Sequence, residues 1–158
     1  IYLGVGVSGS DMPDPEAPSE PILGPMPETS IHEGSIPIAH GAAHTYTESA
    51  RIWNPIHTDA EVAHSAGLPG IILHGTATLA LGVSAVIKHM AHGEPNRVRR
   101  IRGRMASMVL MPSTITVRII DSTPLTDNTQ IAVRFQVITE DDQIAISAGL
   151  IVLDNVNV

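Results

Sequence analysis

The chain contains no cysteine, which excludes a disulfide framework, a thiolate zinc site, an iron–sulfur cluster and a cysteine nucleophile, and agrees with a reducing compartment. Aromatic residues are nearly absent too. Tyr2, Tyr46, Trp53 and Phe135 are too few for a base-stacking platform or an aromatic carbohydrate cleft, so the core has to be aliphatic. No apolar run reaches the roughly 20 residues of a membrane span. The longest, from Gly70 to Ile87, is interrupted by His74, Thr76, Thr78 and Ser84. The formal net charge of −7 opposes sequence-blind attraction to nucleic acid or to an anionic membrane. What remains is 158 residues, 43% of them hydrophobic, enough for one ordinary domain core.

Composition divides the chain. Proline, glycine, serine and glutamate crowd the stretch from Ser8 to Pro37, which shows neither helical nor strand periodicity. Residues 1–37 are therefore expected to be an arm or linker, and residues 38–158 the folded domain. The first residue is Ile1, as in a processed chain or a piece of a longer one, and Asp11, Asp14 and Glu16 stand where a signal peptide would have its basic and apolar regions. The expected location is the cytoplasm.

Beyond Ile38, Thr58 and Glu61 have capping-box spacing for a short helix that Gly67 would stop. A longer, buried helix is expected from His74 to about His92, because Leu79, Val83, Val86, Ile87 and Met90 recur at helical spacing among small residues. The remainder reads as strands at Val98–Leu110, Ser113–Asp121, Gln130–Thr139 and Gln143–Leu153. Ile115, Val117 and Ile119 alternate, as do Ile131, Val133, Phe135 and Val137, whereas Ser147 to Leu153 is apolar on both faces and suits a central strand. The expected class is α+β, a long helix wrapped by a curved antiparallel sheet.

Chemistry concentrates in Arg51-Ile52-Trp53-Asn54-Pro55-Ile56-His57 and in Gly67-Leu68-Pro69-Gly70-Ile71-Ile72-Leu73-His74-Gly75. Pro55 holds Asn54 extended and sets His57 at a turn just before a helix, where an imidazole can serve as acid or base near neutral pH. Gly75 falls at the start of the long helix, where amide donors lack partners and a missing side chain lets an oxygen approach. The plain alternatives are a capping role for His57, a backbone-bonded or pocket-lining His74, a tight-turn role for Gly75 and a packing role for Trp53.

Asn54-Pro55-Ile56-His57, Ala63, Gly67 and then Leu73-His74-Gly75 resemble, in that order, the signature of MaoC-like hydratases and dehydratases, which include the (R)-specific enoyl-CoA hydratases. The resemblance runs from about Ala42 to Leu153. It implies a hotdog fold, pairing as a homodimer or tandem double hotdog, and reversible addition of water to an enoyl thioester on CoA or acyl carrier protein, with no cofactor. It also implies that His57 is catalytic and that Gly75 donates to the thioester oxyanion; Asn54 and His74 are further candidates for oxyanion or substrate contact. One position departs: where the family carries a catalytic Asp, two residues before the Asn, this chain has Ile52, preceded by Arg51. Glu48 and Asp59 are the nearest acids. Ile52 keeps two alternatives open, a non-catalytic acyl-binding or partner hotdog and a hotdog thioesterase.

Two further features stand apart. Arg97, Arg99, Arg100, Arg102 and Arg104 crowd one segment, and along a strand Arg100, Arg102 and Arg104 share a face that can meet CoA phosphates or an acidic carrier, or simply keep an edge strand soluble. His40 and His44, and His89 and His92, lack the third ligand of a zinc motif, so no metal is expected.

Overall fold

The computed structural model describes residues 20–126 and 128–155. Its elements are β1 (His32–Ile38), α1 (Ala42–Ala50), a 3-10 turn (Pro55–His57), α2 (Ala60–Ser65), α3 (Gly75–Met90), a second 3-10 turn (Pro95–Arg97), β2 (Val98–Met105), β3 (Ser113–Pro124), β4 (Gln130–Ile138) and β5 (Ile144–Asp154). All strands pair antiparallel in one five-stranded sheet of order β1-β3-β4-β5-β2. α3 packs against one face of this sheet, over β2, β3, β4 and β5. A Cβ on Gly82 in the middle of α3 would meet the Phe135 ring at 2.7 Å and Val137 at 2.8 Å, so the bare helix backbone lies directly on β4. Val86, Val117, Val133, Phe135, Ile151 and Leu153 fill the space between helix and sheet. This is the long helix on an antiparallel sheet that the helix and strand pattern implied, and the hotdog architecture that the family resemblance implied.

Several expectations are corrected. His32–Ile38, all of it but Ile38 assigned by composition to the arm, is edge strand β1, pairing from His32 opposite Ile119 to Ile38 opposite Ser113. Its half-buried positions alternate, and Pro37 is tolerated because an edge strand leaves one row of backbone groups unpaired. Helix α1 was not anticipated, since its buried residues are Ala43 and Thr47 and draw no apolar stripe. The short helix α2 is capped by Asp59, whose carboxylate accepts from the N–H groups of Glu61 and Val62 at 2.8 and 3.1 Å, so Thr58 and Glu61 form no capping box. The strand expected to reach Leu110 ends at Met105. α3 is buried on one side only: Ala77, Thr78, Gly82, Val83 and Val86 face inward, while Thr76, Ala80, Ser84 and Lys88, four residues apart, are exposed.

The doubly apolar β5 is covered on both faces. Residues 20–26 cross the outer face of the sheet, where Arg134 donates to the carbonyls of Gly24 and Pro25 at 2.9 and 3.0 Å, and Glu20 pairs with Arg100 and Arg102. Pro21, Leu23 and Met26 thereby close over Ile120 and Leu150.

Candidate active site

The site is built from three backbone devices. First, Asn54 stands extended before Pro55, its Oδ1 accepts from the Ile56 N–H, and the His57 N–H donates to the Asn54 carbonyl at 3.1 Å; this 3-10 turn delivers His57 at a fixed point. Second, Leu73 N–H donates to Val109 O at 2.8 Å and Met111 N–H to Ile71 O at 3.2 Å, with Ile72 bridged to Leu110. That short ladder aims the Ile72 carbonyl at His57, whose Nδ1–H donates to it at 2.8 Å. A carbonyl only accepts, so Nδ1 carries a proton, and in the neutral form of the ring Nε2 is the bare acceptor. Third, α3 begins at Gly75 with no side-chain cap and no acid in its first turn, leaving its early amides and the positive end of its dipole open to an oxygen.

His57 and Gly75 meet in one cleft of about 250 Å³. Asn54, Ile56, Ile72, Leu73, Thr78, Met105, Ser107, Met108, Val109 and Ile146 complete most of its wall. The lining is chiefly aliphatic and thioether, which suits an apolar ligand group. His57 is 9% exposed, and it is the only titratable side chain in that wall among the described residues.

His74 lies behind the wall. Its ring stacks on His57 with centroids 3.7 Å apart and planes 22° apart, and its centroid lies 5.0 Å from that of Tyr46 at a tilt of 51°. Its Nε2–H is shared between the Ile52 carbonyl and Thr47 Oγ1, each at 3.3 Å, and its Nδ1 is buried with no partner among the described residues. Burial, and after it the neighbouring charge on His57, holds the His74 pKa below the usual histidine value, partly opposed by the bond to the Ile52 carbonyl. His74 is therefore a neutral backing to His57.

Neither nearby acid replaces the carboxylate missing at position 52. The Ile52 side chain is 41% exposed, and only its carbonyl takes part, through His74. Glu48 accepts from Trp53 Nε1, and Asp59 is committed to capping α2. Gly103 and Met105 of β2 face Leu79 and Gly75 of α3, while Arg100 and Arg102 meet Glu20 on the outer face. None of Arg100, Arg102 and Arg104 lines the cleft. Sequence reasoning missed Met105 and Met108, at a strand end and in the loop after it, and the Ile72 carbonyl, which no residue type announces.

A helix packed on an antiparallel sheet, with a histidine and a glycine helix start opening on one largely apolar cleft, defines a hotdog domain. The model of the MaoC like domain matches residues 24–142, more than half of the chain, and the protein belongs to that family. Over 63 residues it is 41% identical to the peroxisomal enoyl-CoA hydratase 2 of Arabidopsis thaliana, covering 40% of this chain and 20% of that protein. Over 102 residues it is 28% identical to a probable enoyl-CoA hydratase 2 of Dictyostelium discoideum, covering 64% of this chain and 33% of that one. The chain thus spans a third or less of these relatives' length. Among solved structures, a MaoC-like dehydratase from Phytophthora capsici superposes with a TM-score of 0.76 at 22% identity, over 96% of this chain and 48% of that one. The (R)-hydratase from A. caviae gives 0.67 at 15% identity, over 80% and 96%. At these identities the superpositions establish the fold. No helix among the described residues is long and apolar enough to cross a membrane.

Proposed function

We propose that this domain hydrates an enoyl thioester, or dehydrates the corresponding 3-hydroxyacyl thioester, with His57 as the proton carrier and the Gly75 amide as oxyanion donor. The observation that carries the reading is the bond from His57 Nδ1–H to the Ile72 carbonyl, which leaves Nε2 basic in the same cleft as the open start of α3. In the hydration direction, Nε2 takes a proton from water as the water oxygen bonds to the substrate Cβ. The electron pair of the double bond moves onto the thioester carbonyl, and the Gly75 N–H at the positive helix end holds the resulting enolate oxygen. The proton on Nε2 then passes to Cα. With Ile52 in place of a carboxylate, one imidazole serves both steps, and His74, kept neutral, adds no second charge beside it. The relatives' names support this substrate class, and CoA and acyl carrier protein are the two carriers to compare. Edge strand β2, with Ile101 and Met105 half exposed, is the side on which a second hotdog unit would pair.

A second reading rests on Ile52 itself: the domain binds the acyl thioester while a paired domain supplies the full acid–base set. Incubation with crotonyl-CoA separates the two. The hydratase reading requires loss of the enoyl-thioester absorbance without release of free thiol. Tight binding with unchanged absorbance would refute it and leave the binding reading.

A further inference from the structure

The three atoms nearest to a Cβ built on Gly75 all belong to Met105: Sδ at 2.6 Å, Cγ at 3.1 Å and Cε at 3.4 Å. The thioether therefore lies against the bare backbone where the oxyanion donor is, while the Met105 residue is 49% exposed and stands at the end of an edge strand. An oxygen arriving at the Gly75 N–H brings with it the two atoms bonded to its carbonyl carbon. One is the thioester sulfur, which carries the same linker in every CoA thioester. The other is Cα of the acyl group, the atom at which substrates differ.

We propose that Met105 is the specificity-determining residue of this cleft, filling the space beside the carbonyl so that straight-chain acyl thioesters are accepted and those with a methyl branch on Cα are excluded. The inference rests on the reading of the cleft as an acyl-thioester site. It assigns to Met105 a discriminating contact and no part in proton transfer. One methyl group in an apolar pocket is worth about 10-fold or somewhat more in selectivity, which sets the size of the effect.

The test uses the whole chain and saturated thioesters, so that it does not depend on turnover. Calorimetric titration with butyryl-CoA and with 2-methylbutyryl-CoA should show wild type preferring the straight chain by about 10-fold or more. In Met105→Ala the preference should shrink about 10-fold, chiefly through tighter binding of the branched ligand. Met105→Val, which suits a strand end and also removes the thioether, should shift the same way if the alanine variant folds poorly. Met105→Leu, which fills a similar volume, should keep the preference. An unchanged preference in the folded Ala or Val variant, or equal binding of both ligands by wild type, overturns the assignment of Met105 alone. Binding of neither ligand by wild type overturns the thioester reading itself, and the role of Met105 falls with it.

Discussion

Adding one methyl group at Gly149 and at Gly75 should have opposite consequences, because the two glycines are bare for different reasons. At Gly149, on β5, an alanine Cβ would lie 2.5 Å from the Phe135 carbonyl oxygen and 2.8 Å from two atoms of its ring. The oxygen belongs to the backbone of β4, paired with β5 at that register, and Phe135 is fully buried, so neither group can withdraw without opening the central ladder. Gly149 is not in the left-handed backbone region, so the cost is overpacking alone, about 2–3 kcal/mol. For a domain of this size that lowers Tm by roughly 4–12 °C. At Gly75 the obstructing atom is the Met105 sulfur, near the end of a flexible, half-exposed side chain, and the change should cost under about 1 kcal/mol. Thermal unfolding followed by circular dichroism, together with crotonyl-CoA turnover, measures both. Gly149→Ala should unfold early. Gly75→Ala should melt close to wild type and lose about 10²-fold or more in kcat, since the methyl stands where the oxyanion must approach. A Gly75→Ala variant as destabilised as Gly149→Ala, or one that is stable and fully active, would refute the argument that Gly75 is a glycine for access.

The other predictions follow from particular contacts. The depressed His74 pKa means that the fold favours the neutral ring; this contribution is complete above the ordinary histidine value near 6.5 and is lost as pH falls from there through the lowered folded value. Urea midpoints should accordingly drop on acidification, and by less in His74→Gln; an unchanged pH dependence in that variant would contradict it. Arg134 joins Asp121 to the carbonyls of Gly24 and Pro25, so Arg134→Leu should cost about 1–3 kcal/mol and expose residues 20–26 to limited proteolysis, a cleavage pattern like that of wild type being the contrary result.

Much of the fold is legible in the chain. The alternation of Ile115, Val117 and Ile119 and of Val133, Phe135 and Val137 places those side chains in the core, and the two-faced apolarity of β5 anticipates cover on both sides. What escaped has physical causes. β1 is disguised by Gly34 and Pro37, which an edge strand tolerates, and α1 buries two small residues and so leaves no stripe. At the site, the motif locates His57 and Gly75, while proximity in sequence leaves the orientation of Glu48 and Asp59 open; their carboxylates bind Trp53 and the α2 amides. The tautomer of His57 depends on a main-chain carbonyl, Ile72, that is brought in by a ladder distant in sequence, and side-chain patterns are silent about such groups.

The most direct test of the account is crotonyl-CoA hydration by wild type and by His57→Gln, with the fold of each verified by its melting curve. The account predicts measurable loss of enoyl absorbance with wild type and a fall in kcat/KM of about 10²-fold or more in the variant at unchanged fold. Equal rates for the two proteins would contradict the assignment of proton transfer to His57.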